Sequence, residues 1–334
     1  MKTDLRKRQS ELEREGRFDV DMNEVHRTFD AQPTGGDFEY LPKRPSEKFR
    51  RLWLLSVVSA VGPVINFFAS GVKVRGKKNL RALKGKGAIS VCNHVLTLDT
   101  LILKNALGPF RLFNTGSYYL MKKGWAGRIF KAGGFLPVGT TLQDMKKLQE
   151  AIGELVQKGK IVNFYPEHAL WPGYKRIRPF KAGAFHYAAK FGVPVLPVFI
   201  GFRMTKLRKF FHRKEKAILH ILPAVYPPEE GTLRERARLF SEQVYRILCE
   251  EATRFYGENA EAAAYALPQG VQAALHEAAP AREAQTAHKA GEGSAESVSA
   301  PVKETPNEHT VREAEEAYAE DVSADALPAE GGAV

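Results

Sequence analysis

A histidine and an aspartate follow a short apolar run at a spacing that could bring them together. The run from Ala88 to Cys92 ends at Asn93 and His94, and Asp99 comes five residues after the histidine. An imidazole can accept a proton, and a carboxylate on its other ring nitrogen fixes the tautomer and stabilises the protonated ring. Residues five apart do not share a helix face, so we expect His94 to precede a helix that contains Asp99. On these residues alone, an unconnected loop histidine and helix aspartate is the alternative.

The two cysteines provide neither a disulfide framework nor a metal-binding spacing. Cys92 and Cys249 both lie in apolar runs, which predicts buried free thiols in a reducing compartment. Cys92 is two residues from His94, but strand alternation turns its side chain inward, which disfavours a thiol nucleophile. We expect no metal site and no cofactor.

Charge is distributed unevenly along the chain. Residues 258–334 hold 15 acidic and 4 basic residues, whereas residues 1–257 hold 23 acidic and 46 basic ones. A strongly basic body predicts a polyanionic partner, either an anionic membrane surface or a nucleic acid. The acidic tail is rich in Ala, Glu, Ser and Pro and poor in aromatic residues, a composition typical of disorder.

Composition divides the chain into four segments. We expect a polar N-terminal arm at 1–45, an apolar membrane-anchoring segment at 46–72, a folded body at 73–257 and a disordered acidic tail at 258–334. The arm is predicted to be flexible or loosely docked, because it is polar and contains a Pro-Thr-Gly-Gly turn cluster.

The apolar segment contains an uncharged stretch at 52–72 that is long enough to cross a bilayer as a helix. Gly62-Pro63 lies at its centre, and proline breaks or kinks a helix interior. Basic residues flank both ends, whereas a spanning helix usually has its excess on one side. We therefore expect two half-helices, 52–61 and 64–72, that form a monotopic hairpin in one leaflet; a true span and a buried core hairpin are the alternatives.

The body alternates short apolar runs with amphipathic stretches, which predicts an α/β fold with a mostly parallel sheet flanked by helices. The predicted strands are 87–92, 111–120, 135–138, 161–166, 193–200 and 217–225, and the predicted helices are 97–108, 122–134, 140–159, 181–192 and 233–255.

Four motifs within the body occur in a recognisable order. They are NHVLTLD (93–99), AGGFLPVG (132–139), NFYPEH leading into RPFKAGAF (163–185), and VPVLPVF (193–199). This order resembles the glycerolipid acyltransferase family of 1-acylglycerol-3-phosphate and lysophospholipid acyltransferases. Its pattern is a His-x4-Asp box, a glycine-rich stretch, an F-P-E-G box with a following proline–phenylalanine–lysine–glycine turn, and a V-P-V-x-P-V strand. The resemblance implies that residues 73–257 form an acyltransferase domain.

The resemblance assigns roles to several residues. His94 would be the general base that takes the acceptor hydroxyl proton, and Asp99 would orient it; a positioned base contributes about 10²–10⁴-fold in rate. No covalent acyl-enzyme is required. Glu167 in the F-P-E-G box and Gly134 in the glycine-rich stretch are counted among the acceptor-binding residues.

The chain departs from the family pattern at the two arginines that usually bind the acceptor phosphate. The box that commonly continues E-G-T-R-S reads Glu167-His168-Ala169-Leu170 here, and Gly139 and Thr140 follow the glycine-rich strand. The substitute cations that we consider are downstream, with Arg178 and Lys181 favoured: Lys175, Arg176, Arg178 and Lys181. A solvated surface loop is the alternative for this cluster.

The expected function is transfer of a fatty acyl group from acyl-CoA or acyl carrier protein to a lysophospholipid hydroxyl. Membrane lipids are expected partners, nucleic acid is not, and the expected location is the cytoplasmic face of the cell membrane, as a monotopic anchor or a single span. The alternatives are an acyltransferase for a lipid alcohol without phosphate and a non-catalytic basic adaptor that binds membranes or nucleic acid.

Overall fold

The computed structural model describes residues 2–22, 38–118, 124–139, 141–211 and 215–257. The helices are α1 (Lys2–Arg14), α2 (Pro45–Ser70), α3 (Lys77–Ala82), α4 (Asp99–Leu107), α5 (Trp125–Ala132), α6 (Leu142–Gln157), α7 (Gly183–Lys190), α8 (Lys206–Phe210) and α9 (Leu233–Tyr256). The strands are β1 (Lys73–Arg75), β2 (Ala88–Cys92), β3 (Leu112–Ser117), β4 (Phe135–Val138), β5 (Ile161–Phe164), β6 (Val195–Arg203) and β7 (Lys216–Ile221).

The strands form one mixed sheet in the order β1-β7-β6-β2-β5-β3-β4. Strands β6, β2, β5, β3 and β4 are parallel, β7 is antiparallel to β6, and β1 is parallel to β7. The carboxyl ends of the five parallel strands therefore meet at one edge of the sheet, which is where α/β proteins place their ligands. His94 follows β2 at this carboxyl edge.

Helices cover both faces of the sheet. Alternate residues of β6, such as Leu196 and Val198, join the core cluster that contains Ile102 and Leu103 of α4. On the opposite face, Phe199 contacts Phe255 of α9, with ring centroids 5.6 Å apart. Because both faces are buried, β2 is apolar along almost its whole length, as the sequence predicts for a parallel strand.

The apolar segment is one continuous helix, so the predicted hairpin is wrong. Helix α2 runs through Pro63 and ends at Gly71, whose φ of 58° is left-handed. An interior proline removes one backbone hydrogen bond and can kink a helix without ending it. The length and composition of Pro45–Phe68 are sufficient to cross a membrane, and 17% of its most apolar window is buried inside the protein.

The first part of the N-terminal arm is docked on the body, in contrast to the predicted loose arm. Leu12 of α1 and Met22 belong to the core cluster, and Nε2 of Gln9 donates to the carbonyl oxygen of Pro172 at 3.2 Å. The hydrophobic contacts were missed because only a few apolar residues in a charged stretch supply them. The rest of the arm, residues 23–37, and the acidic tail at 258–334 lie outside the described residues.

Candidate active site

His94 and Asp99 meet at the carboxyl edge of the sheet. His94 lies in the loop after β2, Asp99 is the first residue of α4, and Nδ1 of His94 is 2.7 Å from Oδ2 of Asp99. The aspartate side chain is 1% exposed, whereas that of the histidine is 21% exposed. Since the carboxylate can only accept, Nδ1 carries the hydrogen in the neutral ring and Nε2 keeps its lone pair. The geometry therefore suits a general base at Nε2.

Tyr165 holds both members of this pair. Its hydroxyl donates to Oδ1 of Asp99 at 3.0 Å, and its ring stacks on the imidazole with centroids 4.0 Å apart and an interplanar angle of 18°. Burial, followed by the charge of Asp99, raises the pKa of Tyr165 well above its ordinary value, so the phenol remains a hydrogen-bond donor. Each carboxylate oxygen of Asp99 thus has its own donor.

The end of β2 is fixed by Asn93. Its side-chain amide donates to the carbonyl oxygen of Ile200 at 3.0 Å and accepts from the N–H of Ile200 at 2.8 Å. This paired contact ties the residue before His94 to the neighbouring strand β6. The adjacent Cys92 is fully buried, and burial, with the charges of Asp99 and Glu167, raises its pKa well above the ordinary thiol value. Cys92 is therefore a thiol that packs in the core, not a thiolate nucleophile.

Glu167 and Arg178 form a fully buried ion pair that supports the backbone of His94. Nη2 of Arg178 is 2.8 Å from Oε2 of Glu167, and both side chains are buried. Glu167 also accepts from the N–H of His94 at 3.1 Å and from the N–H of Arg178 at 2.9 Å. The guanidinium donates further to the carbonyl oxygens of Ala169 and Phe18. Buried charges persist only where they are paired in this way.

This placement corrects the predicted role of both residues. Arg178 and Glu167 were expected to bind the acceptor, but their polar groups face each other and the protein backbone. The spacing of the sequence motif is the same for either role, so only the fold distinguishes them.

The loop after Glu167 completes the support of His94. The N–H of Trp171 donates to the carbonyl oxygen of His94 at 3.0 Å, and the N–H of Gly173 donates to that of Val95 at 2.9 Å. His168, which replaces the glycine of the family pattern, has a φ of 65° in the left-handed region. A non-glycine residue there is uncommon, so the loop keeps the glycine-type conformation despite the substitution.

The other residues that were predicted to bind the acceptor lie in different parts of the structure and do not form one cluster. Lys175 pairs with Glu215 at 2.9 Å and Arg176 pairs with Glu13. Gly134 is buried at the amino end of β4, at the opposite edge of the sheet from His94. The side chain of Lys181 is exposed, and its N–H donates to the carbonyl oxygen of Pro166 just beyond the carboxyl end of β5. Lys181 thus lies at the same edge of the sheet as His94.

One cleft lies away from His94. It has a volume of about 420 Å³ and lies between the start of α2 and the end of α5, and five of its lining side chains are basic: Arg44, Arg50, Arg51, Arg128 and Lys131. Within the described residues, no three His, Cys, Asp or Glu side chains converge as a metal site would require.

The family match covers this region. Residues 71–201, which contain His94, Asp99, Tyr165 and Arg178, match the family model for Acyltransferase. This match and the relatives described below support a place for residues 71–201 in the glycerolipid acyltransferase family. The matched residues include strands β1 to β5, most of β6 and both members of the histidine–aspartate pair.

Two curated proteins are similar in sequence to part of this chain. A chloroplastic 1-acyl-sn-glycerol-3-phosphate acyltransferase, BAT2, from Brassica napus is 30% identical over 169 residues, which cover 49% of this chain and 46% of that protein. A 1-acyl-sn-glycerol-3-phosphate acyltransferase from Saccharomyces cerevisiae is 34% identical over 139 residues, covering 39% and 42%. The chain thus spans less than half the length of these curated relatives.

A solved structure also aligns with this chain. The 1-acyl-sn-glycerophosphate (LPA) acyltransferase PlsC from Thermotoga maritima has a TM-score of 0.48 and 21% identity, and the alignment covers 65% of this chain and 85% of that chain.

The sequence did not predict the contact of Asn93 with strand β6 or the hydrogen bond of Tyr165 to Asp99. A signal for Tyr165 was present, because the family pattern has phenylalanine at that position and tyrosine adds one hydroxyl. The sequence around Asn93 gives no such signal, because its partner is 107 residues away.

Proposed function

We propose that this protein transfers a fatty acyl group from a thioester to the hydroxyl of a lysophospholipid of the 1-acylglycerol-3-phosphate type. The observation that carries the proposal is the 2.7 Å contact between Nδ1 of His94 and Asp99 at the carboxyl edge of an acyltransferase-family domain. The relatives named as 1-acyl-sn-glycerol-3-phosphate acyltransferases support the acceptor class. Acyl-CoA and acyl carrier protein are the candidate donors.

The reaction follows from the protonation state of the pair. Nε2 of His94 takes the hydroxyl proton as the acceptor oxygen attacks the thioester carbonyl carbon. Asp99 stabilises the imidazolium that forms, and Tyr165 keeps the carboxylate in place. When the tetrahedral intermediate collapses, the carbon–sulfur bond breaks and the imidazolium proton goes to the leaving sulfur. The products are an ester and a free thiol.

The direct test is thioester consumption by the purified full chain with lysophosphatidate as acceptor. His94→Ala should reduce turnover by at least about 100-fold, because a positioned base contributes about 10²–10⁴-fold. His186→Gln removes a histidine on α7, outside the site, and should retain turnover. Wild-type turnover by the His94→Ala variant would refute the assignment of His94 as the base, whereas no turnover by the unaltered protein with any acceptor would favour the basic adaptor.

A lipid alcohol without phosphate is the second candidate acceptor. Leu170, at one of the usual arginine positions, is 5% exposed. The other region reads Gly139-Thr140, also without an arginine, and Thr140 lies outside the described residues. A panel of lysophosphatidate and monoacylglycerol decides between the acceptors. If phosphate is recognised, Lys181→Gln should raise KM for lysophosphatidate several-fold and leave KM for monoacylglycerol unchanged.

We also propose that α2 lies along the bilayer surface and does not cross it. The helix contacts the folded body near its start, middle and end. Nη1 of Arg51 donates to the carbonyl oxygen of Ala132 at 3.0 Å, and the amide of Asn105 packs so closely on Gly62 that a side chain there would collide with it. The guanidinium of Arg208 packs equally closely on Gly71. Because the body contacts α2 near its start, middle and end, the helix cannot cross the bilayer unless the body enters the bilayer with it.

The exposed side of α2 is apolar, as a surface-lying helix requires: Phe49, Leu52, Trp53, Val57, Val61, Val64, Ile65, Phe67 and Phe68. Two single-cysteine variants, Lys43→Cys before the helix and Lys73→Cys after it, test the orientation in sealed vesicles. A membrane-impermeant maleimide added outside should label both variants to the same extent. Labelling of one variant with protection of the other would show a span. The cytoplasmic face remains our prediction for the cell.

A further inference from the structure

An exposed segment with mixed apolar and basic character follows β6. It comprises residues 203–211, RMTKLRKFF, and includes α8; we refer to it as the post-β6 segment. Leu207, Phe210 and Phe211 are 67%, 76% and 61% exposed, although the last two stack edge to face on each other with centroids 5.1 Å apart. Such large exposed aromatic side chains side by side indicate an interaction surface.

The charge of the segment selects the partner. Residues 203–211 contain four basic residues and no acidic residue. Lys206 and Lys209 of α8 are both exposed. Exposed aromatic groups interleaved with lysines match the composition of helices that lie at an anionic membrane surface, where the rings enter the headgroup region and the ammonium groups meet phosphate.

The position of the segment is equally informative. Strand β6 runs parallel to β2, with Val198 opposite Cys92, and continues to Arg203. The post-β6 segment therefore emerges at the carboxyl edge of the sheet, beside the strand that delivers His94. It also adjoins the end of α2, since the Arg208 guanidinium lies against Gly71, and Phe67 and Phe68 near that end are exposed. A cation at a helix C-terminus is favourable, which stabilises this junction.

We propose that the post-β6 segment is a second membrane contact, which docks on anionic phospholipid and sets the tilt of the domain on the bilayer. This inference rests on the proposed function for its purpose, because it brings the carboxyl edge of the sheet to the lipid acceptor. Helix α2 alone would leave the domain free to roll about the helix axis. A contact at the end of α2 and next to β2 removes that freedom.

The test places an environment-sensitive fluorophore on the segment in the full chain. Both native cysteines are buried, so Phe210→Cys can be labelled with a nitrobenzoxadiazole group, and Phe110→Cys supplies a matched control. Phe110 is 41% exposed and precedes β3, at the opposite edge of the sheet. On vesicles that contain phosphatidylglycerol, the label at 210 should shift to the blue and be quenched by doxyl lipids, while the label at 110 stays aqueous.

A charge series tests the anionic preference. In the Phe210→Cys background, Lys206→Gln combined with Lys209→Gln should lower the ratio of immersed to aqueous label about 25-fold, roughly fivefold for each lysine. Lys84→Gln combined with Lys86→Gln removes two exposed lysines at the opposite edge and should not change it. Equal exposure of the labels at 210 and 110 would overturn the docking surface. Equal immersion on neutral and anionic vesicles would overturn the choice of anionic lipid.

The measurement does not depend on turnover, so the two proposals fail separately. Thioester consumption is measured on the same labelled samples. Immersion without turnover would support the surface and count against the proposed function, whereas turnover with an aqueous label at 210 would support the function and overturn the surface.

Discussion

Replacing Tyr165 with phenylalanine should lower kcat about tenfold while the fold is retained. The hydroxyl is 3.0 Å from Oδ1 of Asp99, and the other oxygen of that carboxylate is 2.7 Å from Nδ1 of His94. The phenol therefore fixes the rotation of the carboxylate that orients the base. A hydrogen bond to a charged group contributes roughly 1.5–3 kcal/mol, and about 1.4 kcal/mol corresponds to tenfold in rate. The stacked ring remains in the variant, and the family pattern has phenylalanine here, so the lower end applies.

The assay is thioester turnover by the variant, compared with Tyr226→Phe, which removes the hydroxyl of an exposed tyrosine. Without the phenol, the carboxylate of Asp99 loses the donor that fixes its rotation, so kcat should fall about tenfold. KM should change little, since the hydroxyl is not assigned to substrate contact. An unchanged kcat would show that the ring alone supports His94 and that the hydroxyl does not orient the pair.

Three further outcomes follow from buried groups. Lys104 is 6% exposed, and burial, followed by the charge of Arg51, lowers its pKa from 10.5 to about 7. Between these two values the unfolded chain binds more protons than the folded protein, so the free energy of unfolding should rise by about 1.4 kcal/mol per pH unit from pH 7 to 10. Urea titrations at several pH values should show this slope, and Lys104→Met should abolish it. Arg178→Met should lower the free energy of unfolding by about 3–5 kcal/mol, because Glu167 is left charged and buried without its partner. Calorimetry should show that the double variant with Glu167→Gln loses less stability than the sum of the two single variants. Cys92 should resist maleimide at pH 8 in the folded protein and react once it is unfolded, as mass spectrometry would show.

Local patterns predicted most of the elements because the periodicity of apolar residues carries that information. Helix α4 was expected at 97–108 and occurs at Asp99–Leu107, and α6 was expected at 140–159 and occurs at Leu142–Gln157. Thr141 caps α6 by accepting from the N–H of Asp144, as its position before the apolar stripe suggests. Short elements with few apolar residues, such as β1 and α3, gave no comparable periodic signal.

The errors share a physical origin, which is dependence on distant partners. The proline in α2 suggested two half-helices, but contacts with α4 and α5 support a single helix, and these lie far along the chain. Arg178 was predicted to bind the acceptor, a role that needs an accessible guanidinium, and charged residues are usually exposed. Its burial depends on Glu167, eleven residues earlier, and on the carbonyl of Phe18, 160 residues earlier. The histidine–aspartate pair was predictable because both partners lie within one loop and one helical turn.

The docked residues 2–22 make the loop that carries His94 sensitive to changes in that part of the chain. Arg178 donates to the carbonyl oxygen of Phe18, and the indole N–H of Trp171 donates to that of Val20 at 2.8 Å, while the N–H of Trp171 donates to the carbonyl oxygen of His94. A shortened version beginning after residue 22 would remove two acceptors from buried donors and expose the underside of this loop to water. Removing these residues to simplify purification would thus weaken the support of the proposed base.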